Sequence, residues 1–142
     1  MTGIIDYNAG NIRSVELALN KIGAPFTTSA NPAELSSMDR LIFPGVGEAA
    51  FAMAELNKKG LDSFLRDWAA AGKPLLGVCL GSQIIFDHSE EGDTPCLGIL
   101  PGIIRRFPRD FPEKGLKIPH MGWNDLAFHN GGSTLFNGIP EG

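Results

Sequence analysis

Residues 73–86, KPLLGVCLGSQIIF, are the stretch that decides the fold of this chain. The apolar run at Leu75-Leu76 predicts a short buried strand, and residues 84–86 predict a helix. Between them the pattern G-x-C-x-G places Cys79 on a strand-to-helix turn, where side chains at the glycine positions would clash. A helix amino terminus there would stabilise a thiolate. The turn alone leaves two interpretations open: a reactive nucleophile, or a buried cysteine acting as a small hydrophobe.

The preceding half of the chain alternates apolar strands with helical segments. Turn and cap residues separate them, such as Asn31-Pro32 before a short helix. This alternation predicts a doubly wound, mostly parallel α/β sheet flanked by helices, with sites at the carboxyl ends of its strands. The other segments are strands at 4–7, 25–28 and 41–43, and helices at 12–22, 48–59 and 61–71.

After Gly92 the pattern changes to short apolar pieces broken by proline and glycine. Residues 97–100, 103–107 and 118–121 are predicted to be strands of a meander or hairpin region.

Composition narrows the class of protein and of partner. The 142 residues, with a net charge of −4 and no Lys/Arg cluster, predict one soluble domain whose partner is a small molecule or a protein, not nucleic acid or a membrane surface. The two cysteines lack metal-ligand spacing and no leader-like segment opens the chain, so we expect a reducing cytoplasm and neither metal nor cofactor. The longest apolar runs are strand-sized, which predicts no membrane span.

Four motifs in order resemble one protein family. Residues 77–83 (GVCLGSQ) and 44–47 (PGVG) resemble the nucleophile motif and the oxyanion loop of the class I, or triad, glutamine amidotransferases. Residues 4–11 (IIDYNAGN) and 119–124 (PHMGWN) resemble, within that family, glutaminase subunits that supply ammonia to a cyclase of (β/α)8-barrel form. The resemblance implies that residues 1–142 are the amino-terminal portion of one amidotransferase domain of flavodoxin-like fold, whose carboxy-terminal part is absent.

The resemblance implies a role for each motif residue. Cys79 would attack the side-chain amide of glutamine, and the intermediate's oxyanion would be held by the backbone N–H of Leu80 and by one from Gly45-Val46-Gly47. Gln83, one helical turn after Cys79, would face the same pocket. Glu91 would pair with the α-ammonium of glutamine.

Less specific interpretations exist for several of these residues. Residues 44–47 could form a plain Pro-Gly turn that ends a strand, and Glu90 and Glu91 could be two solvated charges. For the partner surface the candidates are Asn11, Arg13 and Trp123, because large aromatics and arginines anchor interfaces. Trp123 could equally be a core residue.

The sequence departs from the family pattern because it lacks the histidine that acts as general base. The family completes its triad with a His-Pro-Glu motif near the end of a longer chain, and no such motif lies within residues 1–142. His88 starts a local H-x-E pattern, but over nine helical residues the chain would advance about 13 Å, beyond the reach of a general base, so we expect a helix-end histidine. His120 lies in the motif that the resemblance assigns to the partner-facing side, and His129 lies in a predicted turn. We therefore expect neither of them to be the triad histidine.

Two rival functions stay open at this stage. One is another triad amidotransferase, such as the glutaminase of anthranilate synthase, which would share only the nucleophile turn. The other is a non-catalytic scaffold that keeps the fold without its base. The DNA downstream of Gly142 discriminates: continuation to a His-Pro-Glu motif favours the enzyme, and a stop codon favours the scaffold.

Overall fold

A computed structural model describes residues 1–111, 113–115, 117–118, 122–125, 127–128 and 134–140. The chain forms two compact units, Met1–Arg106 and Phe107–Gly142.

The first unit begins with the predicted alternation of strands and helices. Its elements up to the cysteine turn are β1 (Thr2–Ile5), α1 (Ile12–Lys21), β2 (Phe26–Ser29), α2 (Pro32–Leu35), β3 (Arg40–Gly45), α3 (Ala49–Lys58), α4 (Leu61–Ala70), β4 (Leu75–Cys79) and α5 (Leu80–Gln83).

The first four strands form a parallel sheet in the order β2-β1-β3-β4. This is the strand order of the flavodoxin-like doubly wound folds, in which ligands bind beyond the carboxyl ends of the strands. In the register of β3 with β4, Gly45 lies opposite Cys79. The predicted fold class is therefore confirmed, and the two motifs on these strands meet at the carboxyl edge of the sheet.

The early helices begin at the residues that the sequence indicates. The side chain of Asn31 accepts a hydrogen bond from the Ala33 N–H, and Pro32 occupies the first turn of α2. Asn11 caps α1 in the same way by accepting from the Ser14 N–H. Each cap satisfies a backbone donor that the first helical turn leaves without a partner.

The core lies between the sheet and the helices α3, α4 and α5. Its buried members come from β1, α2, β3, the three helices and residues 84–97, and Phe43 of β3 packs against Tyr7 with ring centroids 5.3 Å apart. The largest fully buried side chains include Ile4, Ile5, Tyr7, Leu35, Leu41, Phe43, Leu56, Leu61, Leu65, Ile84 and Leu97.

Some apolar residues of the first unit stay exposed. β4 is an edge strand of the four-stranded sheet, and its Leu76 and Val78 are 54% and 39% exposed. Of the apolar set predicted for the first helix, Leu17 on α1 and Ile22 directly after it are also exposed.

The segment after Gln83 differs from the prediction. Residues 84–86 are not a helix, since α5 ends at Gln83. The carbonyl oxygens of Ile84, Ile85 and Phe86 instead accept hydrogen bonds from residues 97–100, which is why neither segment forms the predicted helix or strand. Long-range backbone pairing of this kind overrides local preference.

A small three-stranded sheet follows, in the order β6-β5-β7. Its strands are β5 (His88–Ser89), β6 (Thr94–Pro95) and β7 (Ile103–Ile104), and a 3-10 helix spans Glu91–Asp93. β5 pairs antiparallel with β6 and parallel with β7. Only the centre of the predicted hairpin region is thus confirmed, with strands of two residues each.

The second unit has little regular structure among its described residues, namely a 3-10 helix at Thr134–Phe136. Phe128 stacks on Phe136 with centroids 4.9 Å apart, and Lys114 pairs with Asp110 at 2.6 Å. Ile118 lies in a bend, and the rest of the strand predicted at 118–121 falls outside the described residues.

Within the part of the chain that the structure describes, every helix is too short or too polar to cross a bilayer.

Candidate active site

Cys79 occupies a sharp turn between β4 and α5. Its backbone has φ 56° and ψ −120°, a conformation that a residue with a side chain rarely adopts, and its side chain is exposed. Strain of this kind persists only where the surrounding structure enforces it, and it concentrates at functional sites. The turn therefore has the strand-to-helix geometry that the G-x-C-x-G pattern predicts for a nucleophile elbow.

The two glycines of the pattern are enforced by close backbone contacts. A methyl group on Gly81 would stand 1.9 Å from the carbonyl oxygen of Phe43, and one on Gly77 would stand 2.7 Å from the Cα of Ser82. The elbow thus packs directly onto β3 and onto its own helix. Only glycine fits at both positions.

Ser82 supports the turn at Cys79 through a hydrogen bond that none of the sequence motifs indicates. Its hydroxyl donates a hydrogen bond to the carbonyl oxygen of Cys79 at 2.7 Å. This contact ties the strained residue to the first turn of α5. The only sequence signal for it is a serine three residues after Cys79, a spacing typical of local side chain to backbone bonds.

The predicted oxyanion loop borders the elbow, but one of its donors is occupied. The Val46 N–H donates to the carbonyl oxygen of Ala9 at 2.8 Å, in the loop between β1 and α1. Gly47 has φ +92°, a conformation suited to glycine, and Val46 itself is 48% exposed. In this state Val46 therefore points its N–H away from β4 and towards the β1–α1 loop.

Leu80 directly follows Cys79 as the first residue of α5, and its side chain is buried. Gln83 ends the same helix, and its side chain is exposed. Leu80 and Gln83 therefore both lie on the four-residue helix that follows Cys79.

Glu91 has a structural contact of its own. Its carboxylate accepts a hydrogen bond from the Ala49 N–H at 3.4 Å, at the start of α3. Glu48, the residue at the cap position of α3, makes no side-chain cap bond. Glu91 thus contacts α3 at Ala49, two residues after Gly47, where a carboxylate also interacts favourably with the positive end of the helix.

The interpretation of His88 as a helix-end histidine is wrong. His88 belongs to β5, and its Nε2 lies 3.0 Å from the Asp93 carboxylate. The helix-rise argument does not apply, because α5 is only four residues long. His120 and His129 fall outside the described residues.

The predicted partner residues are exposed. Asn11 uses its side chain as a helix cap, and Arg13 reaches Glu16 at 3.4 Å. Trp123, in the second unit, is 103% exposed, so the alternative that it is a core residue is wrong.

Cys96 differs from Cys79 in exposure. It is 8% exposed, its thiol donates to the Thr94 carbonyl oxygen at 3.4 Å, and burial raises the pKa of the Cys96 thiol. Among the described residues, no group of three His, Cys, Asp or Glu side chains could hold a metal ion.

Comparison with known proteins agrees with this geometry. The sequence profile of the class I glutamine amidotransferases matches residues 3–141, and the chain belongs to that family. A crystal structure of a glutamine amidotransferase superimposes with a TM-score of 0.64, at 23% identity over 74% of this chain and 56% of that one, which supports the fold.

Sequence identity to individual relatives is higher than to this solved structure. The chain is 46% identical to imidazole glycerol phosphate synthase subunit HisH of Halalkalibacterium halodurans, over all of this chain and 67% of that protein. The corresponding subunit of Geobacillus kaustophilus is 48% identical over all of this chain and 68% of its own length. Within the family, this similarity places the chain among the HisH subunits. It spans about two thirds of their length.

Proposed function

We propose that this chain carries the nucleophile half of a glutaminase site. The Cys79 thiolate forms a bond to the amide carbon of glutamine, the C–N bond breaks, and ammonia leaves with a proton from a general acid. Water then adds to the thioester, which releases glutamate and restores the thiol. The observation that carries the proposal is the strained, exposed elbow at Cys79, in register with Gly45 at the carboxyl edge of the sheet.

The oxyanion hole is proposed to be incomplete at rest. The N–H of Leu80, next to the nucleophile, is one donor, and an N–H of the Gly45-Val46-Gly47 loop is the second. The bond from the Val46 N–H to Ala9 supports this, because that donor must be released before it can serve the intermediate. Release on partner binding would restrain hydrolysis of glutamine when no acceptor for ammonia is present.

Gln83 and Glu91 are proposed to bind the substrate. The exposed amide of Gln83 lies on the helix that begins at the nucleophile, and the Glu91 carboxylate lies beside the first turn of α3, near the oxyanion loop. A carboxylate at this rim suits the α-ammonium of glutamine. When glutamine is absent, the same oxygen serves as a helix cap.

The proposed partner is the HisF cyclase subunit, a (β/α)8 barrel, in a cytoplasmic heterodimer. The ammonia would pass to it along a shielded path and be used to form imidazole glycerol phosphate and an aminoimidazole carboxamide ribotide in histidine biosynthesis, so that the complex acts as a lyase. The relatives' name as synthase subunits supports a partner. Asn11, Arg13 and Trp123 remain the proposed contact residues, and all three are exposed.

The general base and its orienting carboxylate are proposed to come from a His-Pro-Glu motif outside residues 1–142. His88, the histidine that the structure describes, is paired with Asp93. Without the base, general acid-base catalysis of about 10² to 10⁴-fold is lost. We therefore expect residues 1–142 to release glutamate from glutamine near the background rate even with HisF.

The test compares glutamate formation by two chains, each first verified as folded by circular dichroism. A chain continuing to a His-Pro-Glu motif should be active and stimulated by HisF, and its Cys79→Ala variant should be inactive. Failure of the longer chain with HisF, or stimulation only by anthranilate synthase, would reject the proposed function. Turnover by residues 1–142 that disappears on His88→Ala would make His88 the base.

A further inference from the structure

The carbonyl oxygen that occupies the Val46 N–H belongs to a loop held by α3. That oxygen is on Ala9, in residues 6–11 between β1 and α1. The residue directly before it, Asn8, donates a hydrogen bond from its side-chain amide to the Glu55 carboxylate of α3 at 3.2 Å. The acceptor of the Val46 N–H therefore lies next to a residue that a side chain from another element holds.

The Glu55 carboxylate is well suited to hold the loop. The residue is 8% exposed, and it also accepts a hydrogen bond from Lys58, one helical turn further on. The hydrogen bonds from Lys58 and Asn8 hold the pKa of the Glu55 carboxyl below its ordinary value, so at neutral pH it is ionised and can only accept. Its bond with the Asn8 amide is thus charge-assisted, which makes it stronger than a bond between neutral groups.

The backbone at Asn8 is constrained as well. Its φ is 69°, in the left-handed region that asparagine adopts more readily than most residues with a side chain. Its N–H donates to the Asp6 side chain at 3.2 Å, and Lys59, directly after α3, donates to the Asp6 carbonyl oxygen at 3.3 Å. The carboxyl end of α3 therefore contacts the loop at two points.

The same helix follows the oxyanion loop. α3 begins at Ala49, two residues after Gly47, and carries Glu55 about 9 Å further along, at 1.5 Å of rise per residue. A helix of this length moves as one unit, so its amino end limits residues 44–47 while its Glu55 limits the loop that contains Ala9. The donor and the acceptor of the resting hydrogen bond are thus positioned by one element.

We propose that the Asn8–Glu55 hydrogen bond is a positioning contact, which holds the Ala9 carbonyl against the Val46 N–H and so keeps the oxyanion hole incomplete without the partner. This inference rests on the proposed glutaminase function. Asn8 and Glu55 act through Ala9 and do not touch the substrate. Loss of their bond should raise the population of the released state, in which the Val46 N–H has left Ala9, by the factor that the contact contributes.

The test is Asn8→Asp in a chain that continues to a His-Pro-Glu motif. Aspartate also tolerates the left-handed backbone, but it sets a second carboxylate against Glu55. We expect glutamate formation without HisF to rise about fivefold with KM for glutamine nearly unchanged, and the stimulation by HisF to fall by a similar factor. Hydrogen exchange of the Val46 amide should become faster, whereas the Leu41 amide, bonded to Pro74 in the sheet, should change less.

A second substitution reverses the polarity of the bond. In Asn8→Asp/Glu55→Gln the glutamine amide donates to the aspartate, so both the rate without HisF and the Val46 exchange should return toward the parent values. Asn57→Asp is the matched control, because it makes the same change of charge at an exposed residue of the same helix. It should leave both measurements unchanged.

Three results would overturn the inference. They are unchanged Val46 exchange in Asn8→Asp, a gain in exchange at Val46 no larger than that at Leu41, and no recovery in the double variant. If Asn8→Asp does not fold, Asn8→Gly removes the amide and keeps the left-handed turn, and the same expectations apply to it. If the parent complex with HisF forms no glutamate, the proposed function fails, and the Val46 exchange still decides whether the contact holds the loop.

Discussion

Gly81 lies directly against the carbonyl oxygen of Phe43, at a distance that leaves no room for a side chain. The contact joins the first turn of α5 to β3, the strand whose Gly45 lies opposite Cys79. The absence of a side chain at Gly81 thus lets the turn at Cys79 pack onto the strand that leads into residues 44–47.

Gly81→Ala should lower the free energy of unfolding by about 2–4 kcal/mol, because the new methyl group forces backbone apart and not a flexible side chain. Urea unfolding measures the change. Gly122→Ala is the matched control, since among the described residues no atom lies within 4 Å of its added methyl group. Equal stability of the two variants would contradict the contact.

The two cysteines should differ in reactivity. Cys79 is exposed, whereas Cys96 is buried and burial raises the pKa of its thiol. A glutamine-analogue electrophile should therefore label Cys79 at least about tenfold faster, as followed by mass mapping of the peptides. Cys96→Ser should keep the labelling and Cys79→Ser should lose it. Preferential labelling of Cys96 would reject Cys79 as the nucleophile.

Trp123→Ala should weaken the complex with HisF by about 2 kcal/mol or more, as truncation of an exposed aromatic anchor does. Because Trp123 is fully exposed, its loss should leave the unfolding midpoint unchanged. Titration calorimetry measures the affinity. Ile22→Ala, also at an exposed apolar residue, is the control for loss of surface area. Unchanged affinity in Trp123→Ala would remove this residue from the interface.

Glu55 should make stability depend on pH. Hydrogen bonds from Lys58 and Asn8 hold the pKa of the Glu55 carboxyl below its ordinary value of 4.5. The ionised form is therefore favoured in the folded state, so its contribution is present above the ordinary value and is lost as the pH falls through the folded pKa.

Urea unfolding between about pH 6 and pH 3 measures this dependence. Glu55→Gln, which cannot ionise, should show a shallower loss of stability in acid than the parent chain. Glu16→Gln is a control, because Glu16 is another glutamate that accepts a hydrogen bond from a neighbouring side chain. An equally steep acid dependence in Glu55→Gln would exclude the contribution.

The elements up to Gln83 could be predicted from the sequence because local signals and tertiary packing agree there. Asn31-Pro32 and the glycines of the elbow each indicate a conformation that the fold then uses. From Ile84 onward the agreement ends. There the backbone bonds of residues 84–86 go to residues 97–100, and strands of two residues carry no detectable periodicity.

The site could be predicted only where its residues are marked by type. Cys79 and residues 44–47 carry their signal in a cysteine and in glycines. The bond between Val46 and Ala9 joins two backbones across the sheet edge, and the Glu91 cap depends on where α3 begins, so neither leaves a pattern along the chain. In the sequence, Tyr7 is an ordinary apolar residue of the strand predicted at 4–7. Only the structure shows that its hydroxyl lies near Gly45.

Because Cys79 has a positive φ, the residue needed for catalysis lowers the stability of the fold. A strained residue of this kind costs about 1–3 kcal/mol, which glycine would not incur. The Cys79→Gly variant should therefore lose its catalytic activity and yet unfold at a higher denaturant concentration than its parent. Selection for stability alone would favour glycine at this position. A cysteine at this turn therefore serves activity at the expense of stability.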